Sequence, residues 1–116
     1  MLMTYDEAHV LARAIANSPE CVAYKQLKET VLADETTAAL IKEYKKLQVS
    51  LQMAAVSGQG ADSEEMQRFS GITALLFSKP EVAQYLQSEM LLQKNLADIF
   101  NILTEAAGLS MDFLNM

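Results

Sequence analysis

The chain has 116 residues, which is the size of one domain with a modest hydrophobic core. Hydrophobic residues make up 51% and charged residues 21%, a balance that excludes an intrinsically disordered chain. Nine basic against 15 acidic residues give a net charge of −6, which argues against direct binding of nucleic acid, because such binding relies on Lys and Arg to neutralise phosphates. We therefore expect a single domain over residues 1–116 without a nucleic-acid partner.

The scarcity of helix-breaking residues predicts an all-α fold. There are only 2 prolines and 4 glycines, and no Asn-Gly or Asp-Gly pair that would favour a β-hairpin. We expect a bundle of about five helices, two of them long and amphipathic, that forms oligomers. No run reaches the roughly 18 apolar residues of a membrane span, and the first residues lack the pattern of a signal peptide, so we expect a cytoplasmic protein without membrane contact.

Capping signals predict where the first helices begin and end. Residues 4–7 (TYDE) have the spacing of a capping box, and the helix that they open is expected to end near Asn17. Ser18 then serves as N-cap of a second helix with Pro19 at its first position. This helix ends before Asp34, the expected N-cap of the third helix.

The third helix is the first of the two long ones and runs from Glu35 to about Ser57. Its apolar residues alternate spacings of four and three, which is typical of packing in a helical bundle: Leu40, Tyr44, Leu47, Leu51 and Ala54. A loop follows over residues 57–62, and Asp62 is the expected N-cap of the fourth helix. The apolar side of that helix consists of Met66, Phe69, Ile72, Thr73 and Leu76.

The last helix is the longest and is expected to run from Pro80 to about Ala107, with Gly108 as its left-handed stop. Its central apolar stripe consists of Tyr85, Leu92, Leu96, Ile99 and Leu103, and a wider arc adds Val82, Leu86, Met90, Ala97 and Phe100. Glu89 and Gln93 interrupt this arc. Because a buried carboxylate is costly unless it is paired, the pair either fixes helix register through a hydrogen bond or faces a partner at the centre of an apolar interface.

Few residues of the chain could act in catalysis or as metal ligands. His9 is the only histidine and Cys21 the only cysteine, so the ligands for a metal ion or an iron–sulfur cluster are too few, and no nucleophile has a catalytic base beside it. Cys21 is either a small hydrophobe or a thiol activated by its place in the first turn of a helix. The remaining cluster, Lys42, Lys45 and Lys46, is a solvated face or a phosphate contact. We expect no enzymatic activity, no cofactor and no metal.

Four segments carry a resemblance to a known family. They are residues 11–20 (LARAIANSPE), Tyr24-Lys25, residues 40–48 (LIKEYKKLQ) and residues 80–89 (PEVAQYLQSE). In this order they resemble the YlbF/YmcA-type regulators, the Com_YlbF family, over nearly the whole chain. The matching features are helix caps and apolar spacing.

The resemblance implies a small, cytoplasmic, non-enzymatic protein of Gram-positive-type bacteria that forms helical dimers or larger oligomers. Members of the family act in competence, sporulation and biofilm formation, in a complex with paralogous regulator proteins that modulates an endoribonuclease and mRNA processing. Some members of that complex hold iron–sulfur clusters through cysteines. With Cys21 alone, this chain departs from that pattern, and only a site shared between subunits remains open.

These observations predict a regulatory adaptor that acts through protein–protein interaction. Two alternatives are a structural, self-associating helical scaffold and a helical module that binds a small ligand or a metal. The residues expected at the interface come from the two long helices, and some of them must fill the core of the protomer instead: Tyr44, Leu47, Leu51, Glu89, Leu92, Gln93, Leu96 and Phe100.

Overall fold

The structure is a computed structural model that describes residues 5–60 and 62–109. Within these residues the chain forms five helices and no strand, which confirms the all-α prediction. The helices are α1 (Tyr5–Ala16), α2 (Pro19–Leu32), α3 (Glu35–Ser57), α4 (Ser63–Phe77) and α5 (Pro80–Ala106). The expected capping box at residues 4–7 starts at a residue that lies outside the described ranges.

Local side-chain chemistry explains why the helices begin where they do. The Ser18 hydroxyl accepts a hydrogen bond from the Cys21 backbone N–H at 3.2 Å, and the Asp62 carboxylate accepts one from the Glu64 N–H at 3.0 Å. Each bond satisfies one of the N–H groups that the first turn of a helix leaves without a partner. Both caps were predicted from the sequence.

Two glycines end the long helices in the left-handed conformation that a side chain would disfavour. Gly58 follows α3 with a φ of 79°, and Gly108 follows α5 with a φ of 78°. After α5, the Gly108 N–H donates to the Glu105 carbonyl at 3.1 Å and the Leu109 N–H donates to the Thr104 carbonyl at 2.9 Å. This pair of bonds is a Schellman motif, which stops the helix and turns the chain away from its axis.

The chain divides into two compact units. The described residues of the first are 5–24 and 87–109, which contain α1, the start of α2 and most of α5; we call this the terminal unit. The second, residues 25–86, contains α3, α4, the rest of α2 and the start of α5; we call it the central unit.

The central unit holds most of the buried apolar side chains. Its fully packed residues are Val31, Ile41, Leu47, Leu76, Val82, Tyr85 and Leu86. Helices α3 and α4 pack against each other, with the Tyr44 and Phe69 rings stacked at 5.1 Å between centroids. The Ser50 hydroxyl donates to the Glu65 carboxylate at 2.9 Å across the same pair of helices. The apolar side predicted for α4 is confirmed except at Met66, which lies in the first turn of the helix and is 53% exposed.

The terminal unit has little core of its own. Among its described residues only Cys21 and Thr104 are buried, and no residue of α1 is. Cys21 is 7% exposed and packs as a small apolar side chain. The apolar faces of α1 and of the second half of α5 therefore stay partly exposed.

Candidate functional site

An open apolar groove lies between α1 and the C-terminal half of α5. Its volume is about 860 Å³. Small and aliphatic side chains form most of its walls: Tyr5, Glu7, Ala8, Leu11, Ala12 and Ile15 from α1, and Leu96, Ile99, Phe100, Leu103, Ala106 and Ala107 from the end of α5. We call this the terminal groove.

The walls of the terminal groove are wide open to solvent. Leu96 is 43% exposed, Phe100 52% and Leu103 53%. The sequence pattern places these residues on the same apolar arc as Val82 and Tyr85, which are buried. The arc of α5 is therefore filled in the central unit and left open in the terminal unit, which is typical of a surface that is completed by another molecule.

The groove continues along α5 as a smaller cleft of about 400 Å³. Ile15, Leu96 and Ile99 line both, and the second part adds two carboxylates, Glu20 and Asp98. Together with Glu7, every charged side chain among the described lining residues is acidic. The Lys94 ammonium, on the exposed side of α5, forms an ion pair with Asp98 at 3.0 Å. The groove is thus apolar at its base and carries three carboxylates along its walls, of which Asp98 is paired with Lys94.

Glu89 and Gln93, the polar pair that interrupts the apolar arc of α5, lie just before the groove along the helix. The Tyr24 hydroxyl donates a hydrogen bond to the half-buried Glu89 carboxylate at 3.0 Å, which links α2 to α5 inside the terminal unit. This bond fits the register interpretation of Glu89, although its donor was not anticipated. Gln93, one turn later, is exposed.

The predicted interface residues of α3 lie in the central unit. Leu47 is buried at 5% exposure, Tyr44 stacks on Phe69, and Leu51 is half-buried. The structure thus brings Leu92, Leu96 and Phe100 together along the groove and its continuation, whereas Tyr44, Leu47 and Leu51 belong to the central unit, in which α3 packs on α4.

The outer face of α3 carries a second apolar surface that the sequence analysis missed. Val49 is 53% exposed, Met53 67% and Val56 89%. At 100° per residue these three lie within an arc of about 80° that also contains Lys42 and Lys46, opposite the face that packs on α4. We call these five residues the outer α3 stripe. These five positions also alternate spacings of four and three in the sequence, but two of them are lysines, so the spacing does not stand out as an apolar pattern.

A small polar cluster fixes the start of α3. The Thr37 hydroxyl, 3% exposed, donates to the Asp34 carboxylate at 2.7 Å, and the Lys79 ammonium donates to the same hydroxyl at 3.4 Å. The hydrogen bond from Thr37 lowers the pKa of Asp34 below its ordinary value. Asp34 occupies the N-cap position, as predicted, but its carboxylate reaches this side chain and makes no cap bond to the backbone. The cluster is structural, because its groups satisfy each other.

The other sequence candidates are dispersed. His9 is exposed on α1, and Lys42 and Lys46 are exposed on α3. The Lys45 ammonium lies 5.9 Å from the centre of the Tyr85 ring, a cation–π distance. Across residues 5–60 and 62–109, no three His, Cys, Asp or Glu side chains come together as metal ligands. Among the same residues, no helix combines the length and hydrophobicity needed to cross a bilayer.

Comparison with known proteins gives a consistent family signal. Residues 4–107 match the family described as control of competence regulator ComK, YlbF/YmcA. The UPF0342 protein of Halothermothrix orenii is 34% identical over 85% of this chain and 84% of its own length, and that of Caldicellulosiruptor saccharolyticus is 32% identical over 100% and 97%. A solved structure, a protein of unknown function (DUF964) from Bacillus stearothermophilus, shares the fold with a TM-score of 0.71 at 20% identity, covering 90% of this chain and 91% of that one.

Proposed function

Because this chain belongs to the YlbF/YmcA family, we propose that it is a regulatory adaptor that acts by binding other proteins. The family description, control of the competence regulator ComK, supports a regulatory role. In the finer form of the proposal, the protein works in the cytoplasm, associates with itself and with paralogous regulators, and modulates an endoribonuclease complex and mRNA processing. The processes affected are competence, sporulation and biofilm formation.

The observation that carries the proposal is the open terminal groove. Leu96, Phe100 and Leu103 keep about half of their surface in water, side by side on one wall. Monomeric proteins rarely leave contiguous apolar surface of this kind uncovered unless it binds something. The groove is long and formed by two helices, the shape that receives an amphipathic helix from a partner.

The proposal assigns no catalytic step to the chain. The groove offers contact area along its base and three carboxylates along its walls, Glu7, Glu20 and Asp98. These carboxylates suit a partner with basic side chains, because opposite charges across an interface favour correct association and disfavour wrong partners.

The test uses the protein in its own bacterium. We expect deletion of the gene to change transcription of competence genes and the processing of their mRNAs. A Leu103→Glu variant is expected to reproduce the deletion, because it places a charge in the groove. Leu75→Glu is the matched control, since Leu75 is 57% exposed against 53% for Leu103 but lies on α4 outside the groove.

Three outcomes contradict the proposal. They are normal competence-gene expression and mRNA processing after deletion, a Leu103→Glu strain that behaves as wild type, and equal effects of the two Leu→Glu variants at equal cellular protein levels. Co-purification from native cells separates an adaptor, which brings other proteins with it, from a purely structural scaffold that brings only copies of itself.

A second candidate function rests on the size of the groove. Its volume of about 860 Å³ lies within the range of small-molecule sites, and its walls are mainly apolar. If the groove holds an apolar small molecule, mass spectrometry of organic extracts from purified protein will find that molecule with wild type and Leu75→Glu, and lose it with Leu103→Glu. Extracts that match a blank purification contradict this alternative.

A further inference from the structure

We propose that the terminal groove of one copy receives the outer α3 stripe of a second copy. This inference rests on the proposed function and deepens it, since it names the surface and the partner for self-association. Each chain then contributes a groove formed by α1 and α5 and a helix face formed by Lys42, Lys46, Val49, Met53 and Val56.

The charges of the two surfaces are complementary. The charged side chains that line the groove and its continuation are Glu7, Glu20 and Asp98, the last of them paired with Lys94, whereas those of the stripe are Lys42 and Lys46. The described residues of the terminal unit include six acidic and two basic side chains, a net charge of −4. Two grooves facing each other would bring like charges together, and two stripes would do the same, so contact between unlike surfaces is favoured.

The lengths of the two surfaces also agree. The outer α3 stripe spans 14 residue steps, which is about 21 Å of helix at 1.5 Å per residue. The α5 wall of the groove and its continuation runs from Leu92 to Ala106, 14 steps or about 21 Å. The stripe is therefore long enough to span the groove and its continuation.

The order of residues along the stripe matches the two parts of the groove. The apolar part, Val49 to Val56, suits the wider and more apolar part between α1 and the end of α5. The basic part, Lys42 and Lys46, then lies toward the continuation that holds Glu20 and Asp98. Apolar anchors at i, i+4 and i+7 are the pattern by which a helix binds in a groove.

A second copy is the partner that the sequence itself supplies, because both halves of the contact are present in every chain. The contact joins two different surfaces, so it forms a reciprocal dimer with two contacts, a closed ring or an open chain of copies, depending on the rotation between them. In each case a variant that damages one surface damages every contact between identical copies.

The first experiment measures association by light scattering and sedimentation over a range of protein concentrations. Met53→Glu is expected to weaken association at least about tenfold, because it replaces a side chain buried in the contact by a charge. Met66→Glu is the matched control: Met66 is also an exposed methionine, at 53%, but it lies on α4 and is part of neither surface, and its variant is expected to associate as wild type. Equal effects of the two variants overturn the proposal.

Charge reversal then tests which surfaces meet. Lys46→Glu and Glu20→Lys are each expected to weaken association several-fold at low salt and less at high salt, while the double variant recovers much of the loss. Contact between two α3 stripes would leave Glu20→Lys without effect, and contact between two grooves would leave Lys46→Glu without effect. Either result overturns the proposal, as does the absence of recovery in the double variant. If Glu20→Lys lowers the helix content of the protein, the comparison of Met53→Glu with Met66→Glu decides the question.

Two further outcomes also overturn the proposal. One is association that begins only when residues 110–116 are deleted, which would assign the groove to the chain's own C-terminal segment. The other is a protein that stays monomeric at every concentration. Deletion effects on competence genes would survive both outcomes, so failure of this inference is distinguishable from failure of the proposed function.

Discussion

Two leucines represent the two kinds of apolar position in this protein: Leu47 belongs to the core of the protomer, and Leu103 belongs to the surface that we assign to association. Leu47 on α3 is 5% exposed and Leu103 on α5 is 53% exposed. Replacing a buried leucine by alanine removes its burial and leaves a cavity, which together lower the free energy of unfolding by about 2–5 kcal/mol. Leu103 already keeps half of its surface in water and encloses no cavity, so Leu103→Ala is expected to cost about 1 kcal/mol, roughly half of the ~1.5–3 kcal/mol that full burial of a leucine contributes without the cavity.

The assay is equilibrium urea unfolding followed by far-UV circular dichroism, at a protein concentration where light scattering finds single chains. Leu47→Ala is expected to shift the midpoint strongly and Leu103→Ala weakly. At higher protein concentration the difference between the destabilisation caused by Leu47→Ala and that caused by Leu103→Ala is expected to narrow. Association stabilises wild type and Leu47→Ala by mass action, whereas Leu103→Ala associates more weakly and gains less of this stabilisation. Equal destabilisation of single chains by the two variants would refute the reasoning, since it would mean that the groove is a closed core.

The remaining predictions concern individual hydrogen bonds. A double-mutant cycle of Tyr24→Phe and Glu89→Gln is expected to give a coupling of about 0.5–1.5 kcal/mol, and a coupling of zero would show that their bond at 3.0 Å does not stabilise the fold. Thr37→Val removes the hydroxyl that lowers the pKa of Asp34, so that pKa, measured by NMR titration, is expected to rise; an unchanged titration contradicts the assignment. In wild type the lowered pKa stabilises the fold above the unfolded-state pKa of about 3.9, and this stabilisation is lost as pH falls through the folded-state pKa. Asp62→Ala removes the N-cap of α4 and is expected to lower the free energy of unfolding by about 1 kcal/mol, whereas Asp62→Asn is expected to keep most of it; equal losses argue against the cap.

Features set by neighbouring residues were predictable from the sequence. The caps at Ser18 and Asp62 and the stop at Gly108 depend on side chains and backbone within a few positions of each other. The apolar faces of the helices follow in the same way from residue spacing. These local rules explain why the five helices and their bounds agree with the prediction.

Contacts between distant parts of the chain were not predictable. Tyr24 and Glu89 are 65 positions apart, so no local pattern joins them. Spacing shows which side of α5 is apolar but does not show what that side meets, and hence could not distinguish buried Tyr85 from exposed Leu103. The apolar residues of the outer α3 stripe were overlooked because the stronger pattern on the inner face, around Leu47, explained the helix by itself.

The measurement that tests the central claim most directly is the native mass of the wild-type protein by light scattering, compared with that of Leu103→Glu. The account predicts that wild type reaches a multiple of the 12.8 kDa chain mass and that the variant does so only at much higher concentration. A wild-type protein that stays at the mass of one chain, or a variant that associates as strongly as wild type, would contradict the claim that the terminal groove is an association surface.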